Sequence, residues 1–128
     1  MKIEHIALWC NDIELLKQFY IKHFGAVAGD KYHNPAKQFT SYFLTFPDGG
    51  ARLELMSTPN IVGRDKSQIV TGFCHLSISV DSKKAVDELT ERLRTAGITI
   101  AGNPRTTGDG YYESVVSDPE GNLIEITI

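Results

Sequence analysis

The chain is built twice, and both copies place a histidine and a glutamate in the middle of apolar strands. Residues 2–10 alternate: Ile3, His5, Ala7 and Trp9 share one face, and Glu4, Ile6, Leu8 and Cys10 the other. From position 73 the pattern starts again, with Phe73, His75, Ser77 and Ser79 opposed to Cys74, Leu76, Ile78 and Val80. An amphipathic helix is predicted after each strand. The first begins at an Asn11 cap with Glu14 three residues on, carries Ile13, Leu16, Phe19, Tyr20 and Phe24 at helical spacing, and stops at Gly25. The second is capped by Asp81 or Ser82, buries Ala85, Val86, Leu89, Leu93 and Ala96, and ends at Gly97. Strand-like segments follow each helix. They are 39–46 and 51–56 in the first copy, and 98–101, 111–117 and 123–128 in the second. Polar stretches through Gly29, Asn34 and Pro35, and over 103–110, read as loops.

This reads as a duplicated β-α-β-β-β unit, with modules 1–56 and 73–128 joined by a connector at 57–72, and the first copy shows two of the three strands after its helix. The repeat is also registered at the charged residues. Glu54 lies 49 positions after His5 and Glu125 lies 50 after His75, with Gly50 and Gly121 each four residues ahead of the glutamate. Asp118-Pro119-Glu120-Gly121 is a tight turn, since Pro fixes φ and Gly accepts the strained corner. Leu123, Glu125 and Thr127 then face away from Asn122, Ile124, Ile126 and Ile128. An ionised glutamate between isoleucines is costly unless it meets water, a partner or a metal.

If the aliphatic rows all pack on the helices, His5, Glu54, His75 and Glu125 line the opposite, concave surface. Two neutral imidazoles and two carboxylates balance a divalent cation and leave coordination positions open. Without a metal, converging carboxylates repel and one must bind a proton. His23, at the end of the first helix, reads as a capping or surface residue, and His33 as solvated. Cys10 and Cys74 lack a C-x-x-C pattern and fall on the helix-facing side, so they read as buried free thiols of a reducing cytoplasm.

Composition narrows the partners. The 128 residues carry a net charge of −3 with pI near 5.8, which gives no footprint for nucleic acid or an anionic membrane. No apolar run approaches the ~20 residues of a membrane span, and Met1-Lys2-Ile3-Glu4-His5 is not a signal peptide. A cytoplasmic, small-molecule protein is expected.

With His5, Glu54, His75 and Glu125 set on paired modules, the chain resembles the vicinal-oxygen-chelate superfamily, and within it glyoxalase I. Glu4-His5-Ile6-Ala7-Leu8, the Phe19-Tyr20 and Phe24-Gly25 pairs and the segment Asp118 to Ile126 carry the likeness, which covers essentially the whole chain. The resemblance implies an α+β fold in which each half curls into an incomplete barrel, with the helices on the convex side. It implies one divalent ion (Ni, Zn, Co, Mn or Fe), a homodimer, and substrates that chelate through adjacent oxygens. Relatives that are extradiol dioxygenases or fosfomycin-modifying enzymes use two histidines and one glutamate; epimerases usually place Gln at the position of Glu54; antibiotic-sequestering members lack the set. Glu54 therefore tips the choice to a glyoxalase I-like lyase acting on the hemithioacetal of a 2-oxoaldehyde such as methylglyoxal, with Glu54 or Glu125 as the base. Glutathione-using members often carry Arg four residues after the first histidine, where this chain has Trp9. Trp9, Met56, Arg105, Tyr111 and Tyr112 are the candidate substrate-binding residues, and Arg52, Arg64 or Arg105 the candidates for an acidic group.

Overall fold

The structure, a computed structural model, describes residues 1–63 and 65–128. The chain forms two compact units, Met1–Arg64 and Asp65–Ile128. Unit 1 contains β1 (His5–Trp9), α1 (Ile13–Phe24), β2 (Val27–Ala28), β3 (Tyr32–Asn34), β4 (Phe39–Thr45) and β5 (Arg52–Ser57). Unit 2 contains β6 (His75–Ser79), α2 (Lys83–Thr95), β7 (Ile100–Thr106), β8 (Tyr112–Ser117) and β9 (Leu123–Thr127). The sheets run β1-β5-β4-β2, with β3 also on β4, and β6-β9-β8-β7. Each is mixed: β1 pairs parallel with β5 and β6 with β9, and the remaining pairs are antiparallel. The α+β class is as the resemblance implied, and both units repeat the strand, helix and strands order read from the sequence, with one strand more in unit 1.

In each unit the helix covers one face of the sheet. α1 lies on β2, β4 and β5, and α2 on β7, β8 and β9. In unit 1 Leu16, Tyr20, Leu44 and Leu55 are fully buried, and in unit 2 Val86, Leu93, Val116, Ile124 and Ile126. Each such side chain contributes about 1.5–3 kcal/mol through removal of apolar surface from water. Because strand side chains alternate, burying Leu53 and Leu55, or Ile124 and Ile126, turns Glu54 and Glu125 to the other face.

Several local expectations are corrected. Asp12, not Asn11, caps α1, accepting from the Leu15 N–H at 2.9 Å. Ser82 caps α2, accepting from Ala85 N–H at 3.2 Å. His23 is buried against Phe19, 5.2 Å between ring centroids, rather than lying at the surface. His33 is exposed, as expected, and pairs with Thr40. The stripe of α2 is Val86, Thr90 and Leu93, whereas Ala96 is exposed. Thr90 can enter the core because its hydroxyl donates to Val86 O at 2.6 Å and meets Ser114 Oγ at 2.7 Å. Cys10 is buried, but Cys74 is exposed, just ahead of β6. The stretch after Gly25 is not all loop: β2 and β3 both pair with β4.

The largest correction concerns β7. Its strand runs through Pro104 to Thr106, where a loop was expected. Pro104 is tolerated because β7 is an edge strand and its ladder shifts register, between Ile100 and Gly102 and again between Gly102 and Arg105. Only Thr107 to Gly110 remain as a turn, closed by Thr107 N–H and the Thr107 hydroxyl donating to Tyr111 O.

The turn before β9 is held by one buried carboxylate. Asp118 Oδ1 accepts from the N–H groups of Glu120 (2.9 Å) and Asn122 (2.8 Å), Oδ2 accepts from Asn122 Nδ2, and Gly121 takes φ +78°. That turn sets the β8–β9 register, in which Val115 faces Glu125 and Glu113 faces Thr127. No helix among the described residues is long and apolar enough to cross a membrane.

Glu14 ties α1 to β4 and the β2–β3 link: it binds Lys17, accepts from Lys31 at 2.9 Å and accepts from the Tyr42 hydroxyl at 2.8 Å. The Lys17 bond, then those of Lys31 and Tyr42, lower its carboxyl to about 2. A depressed folded-state value contributes stability that is full above the unfolded value near 4.5 and is lost as pH falls through about 2. Because the side chain is partly solvated, screening reduces the gain to about 1 kcal/mol. Glu14→Gln should therefore lower unfolding stability by about 1 kcal/mol at pH 7. Urea titrations of both proteins should show that difference shrinking between pH 4.5 and 2.

Candidate functional site

On the face of unit 1 turned from α1, β1 contributes His5, Ala7 and Trp9, and β5 contributes Arg52, Glu54 and Met56. His5 Nε2 stands 3.8 Å from Glu54 Oε2. The other ring nitrogen, Nδ1, is 2.5 Å from Glu4 Oε2. An ionised carboxylate only accepts, so the Nδ1–H of His5 donates to Glu4, and Nε2 is the ring nitrogen that faces Glu54. Glu4 is ionised there: its His5 bond, with Arg52 beyond, holds the carboxyl below the usual range against partial desolvation. Arg52 reaches Glu4 Oε1 through Nε at 2.7 Å and through a terminal nitrogen at 2.5 Å, and its guanidinium stacks 4.0 Å above the Phe43 ring. Phe43 also meets His5 edge-on, with centroids 5.4 Å apart.

Unit 2 repeats the pair with different support. His75 Nε2 is 3.6 Å from Glu125 Oε2. Ser77, directly opposite Glu125 in the parallel register, donates its hydroxyl to Glu125 Oε1 at 2.7 Å, whereas unit 1 has Ala7 opposite Glu54. The imidazole side chains are 41% and 40% exposed and the carboxylates 14% and 17%, so the two pairs are presented to solvent alike. Two donors each about 2.1 Å from one ion stand about 3–4.2 Å apart, and both His–Glu separations fall in that range. Each pair thus fits half of a metal shell, with neutral imidazole nitrogens and carboxylate oxygens as donors. Among the described residues no group of three or more His, Cys, Asp or Glu is placed to hold an ion by itself.

Of the remaining candidates, Trp9 is 54% exposed and meets Phe39 edge-on at 6.2 Å, so it lines the surface instead of entering the core. Met56, half-buried, lies opposite Trp9 on β5. Alternation left the tyrosine pair open. Tyr112 turns to α2, where its hydroxyl donates to Asp87 at 2.8 Å and Lys83 lies over its ring, and Tyr111 is exposed beside the 107–110 turn. Arg105 lies opposite Glu113, and Arg64 lies outside the described residues.

Four residues beside the pairs went unread in the sequence: Glu4, Arg52 in its bond to Glu4, Ser77 and Glu113. Glu113 lies diagonally across β8–β9 from Glu125 on the same face. Burial, then the Glu125 carboxylate, push Glu113 above the usual carboxylate range, and Arg105 opposes them. Counting the hairpin register back from the Asp118 turn would have placed it.

Residues 2–126 match the family described as the Glyoxalase/Bleomycin resistance protein/Dioxygenase superfamily. The chain belongs to that superfamily. Superfamily proteins similar to it include a glyoxalase family protein from Enterococcus faecalis, 23% identical, with a TM-score of 0.81 over 99% of this chain and 97% of that one. Glyoxalase I from Zea mays is 25% identical, TM-score 0.80, over 98% of this chain, which spans only 44% of the maize protein. Trypanothione-dependent glyoxalase I from Leishmania major is 22% identical, TM-score 0.77, over 99% and 86% of the two chains. In sequence, the uncharacterized protein YwkD of Bacillus subtilis (strain 168) is 35% identical over 106 residues, 76% of this chain and 80% of that protein.

In this superfamily member the bond from Glu4 should set the tautomer of His5. Nitrogen-15 NMR of the imidazoles should show His5 with a protonated Nδ1 and a bare Nε2. In Glu4→Ala the balance should move toward Nε2–H, while the His75 signals stay in place.

Proposed function

We propose that the chain is a metal-dependent glyoxalase I-like lyase, converting the hemithioacetal of a 2-oxoaldehyde and a thiol into a 2-hydroxyacyl thioester. The observation that carries the reading is the repeated pair: each unit offers one imidazole Nε2 and one carboxylate oxygen at ligand spacing. His5, Glu54, His75 and Glu125 together would hold one divalent ion, the second pair coming from the same chain or from a second copy. Membership of the superfamily supports this assignment, and a carboxylate at Glu54 favours the lyase over relatives without one. The small charge of the molecule and its polar, solvent-facing pairs suit a small substrate.

Bound there, a divalent ion supplies Lewis-acid stabilisation of the negative charge that develops on the adduct's neighbouring oxygens. The rest falls to the chain's own residues. His5 is a fixed donor, its tautomer set by Glu4 and Arg52. Ser77 holds one oxygen of Glu125 and leaves the other toward His75. A glutamate, Glu54 or Glu125, takes the proton from the adduct carbon bearing sulfur and returns it to the neighbouring carbon. The reaction is a net isomerisation, so no oxidant or reductant is consumed. Trp9, Phe39 and Met56 offer apolar surface beside the unit 1 pair for the carbon part of the substrate.

The test combines metal analysis with turnover. Purified protein should take up divalent ion, and His5→Ala or His75→Ala should weaken that uptake. With methylglyoxal and a thiol, the metal-loaded protein should generate ultraviolet-absorbing thioester. Of Glu54→Gln and Glu125→Gln, the one that removes the base should lower kcat by about 10²- to 10⁴-fold, the usual size of a lost general base, and the other should weaken metal uptake. No thioester with any of Ni, Co, Mn or Zn would overturn the reading.

A further inference from the structure

Unit 1 carries a cavity of about 350 Å³ on the side of its sheet away from the His5–Glu54 pair. Thr40 and Ser57, both in its lining, are register partners on β4 and β5. They alternate in step with Tyr42, Leu44, Leu53 and Leu55, the residues buried under α1, and so lie on the helix face just past the core. Strand ends meet there: Asn11 follows β1, Ser57 closes β5, Thr58 comes next, and Gln38 precedes β4. β1 and β5 run parallel, and the crevice outside the carboxyl ends of parallel strands is a recurrent ligand position in helix-covered sheets.

Among the described residues the lining holds no charge. Asn11, Gln38, Thr40, Ser57 and Thr58 bring amides and hydroxyls, against an apolar wall at Ile61. The side chains of Gln38, Ser57 and Thr58 form no hydrogen bond among the described residues, so their donors and acceptors stay available. Thr40 makes one contact, to His33 Nδ1 at 3.1 Å, and its hydroxyl has capacity for more. Gln38 sits in left-handed backbone, φ +49°, at the end of a turn closed by its N–H donating to Pro35 O. Glycine or asparagine takes that conformation most cheaply, and residues that hold it at a cost gather at ligand sites. An anion is disfavoured here. The neighbouring N-terminus of α1 is already capped by the Asp12 carboxylate, which accepts from the Leu15 N–H at 2.9 Å.

We propose that this cavity binds a neutral, polyhydroxylated molecule of monosaccharide size. Its volume lies at the small end of the roughly 300–1,000 Å³ of small-molecule sites. Ligand hydroxyls both donate and accept, as do the side chains of Gln38, Ser57 and Thr58 that meet them. A wholly apolar ligand would desolvate those groups and leave them unpaired. The site stands apart from the lyase reading and does not rest on it. Occupancy has a built-in reporter: Phe39, between Gln38 and Thr40, meets Trp9, the single tryptophan of the chain, on the other face of the sheet.

The test is titration of the whole chain with D-glucose, D-galactose, D-mannose and myo-inositol. At least one should shift the Gln38 side-chain amide and Thr58 N–H signals saturably in NMR, and change Trp9 fluorescence with the same midpoint. Thr58→Val, nearly equal in shape, should weaken that binding about two- to tenfold, the range for one neutral hydrogen bond. Gln38→Gly should weaken it by a similar factor while raising the urea midpoint of unfolding, because glycine relieves the left-handed corner. D-Glucuronate should bind more weakly than D-glucose. No saturable shift with any of the four, binding intact in both variants, or glucuronate binding as tightly as glucose would overturn the proposal.

Discussion

A slip of one residue in either β5 or β9 would drive a glutamate into the helix-packed core and turn two large aliphatic side chains out to water. An unpaired buried carboxylate is among the costliest errors a fold can make, and the lost burial of Leu53 and Leu55, or Ile124 and Ile126, adds to it. The placement of both His–Glu pairs depends on that penalty. The histidines need no separate device, since each strand pairs parallel with its glutamate strand and presents the imidazole on the same face. Asp118 then locks the second register through bonds to two backbone N–H groups and the Asn122 amide.

The two units share a plan and differ in what they hold still. In unit 1 the imidazole is fixed, by Glu4 backed by Arg52, and Ala7 offers Glu54 no hydrogen bond. In unit 2 the carboxylate is fixed, by Ser77, and a second carboxylate, Glu113, crowds it. Charge follows the same division. Arg52 offsets Glu4 in one unit and Arg105 offsets Glu113 in the other, with the second contact much looser.

Alternation made the α+β repeat readable, together with the faces of β1, β5, β6 and β9 and so His5, Glu54, His75 and Glu125 as residues facing away from the helices. Where alternation failed, local rules had been overridden by packing. Pro104 argued for a loop, but at an edge strand its missing N–H removes no needed bond, and the bulge absorbs the strain. His23 read as a capping or surface residue, yet it packs on Phe19, and Thr90, absent from the predicted stripe, enters the core because the Val86 carbonyl and Ser114 satisfy its hydroxyl. Glu4, Ser77 and Glu113 escaped for another reason. Their significance lies in cross-strand register, which no single segment encodes.

Pro104 also bears on what the molecule avoids. An open edge strand is a template on which another extended chain can add, and β7 is an edge of its sheet. There the imino ring withholds a donor and the shifted ladder breaks the even spacing that an added strand would need. The irregularity that sets Arg105 opposite Glu113 therefore also guards unit 2 against fibre-like stacking through that border.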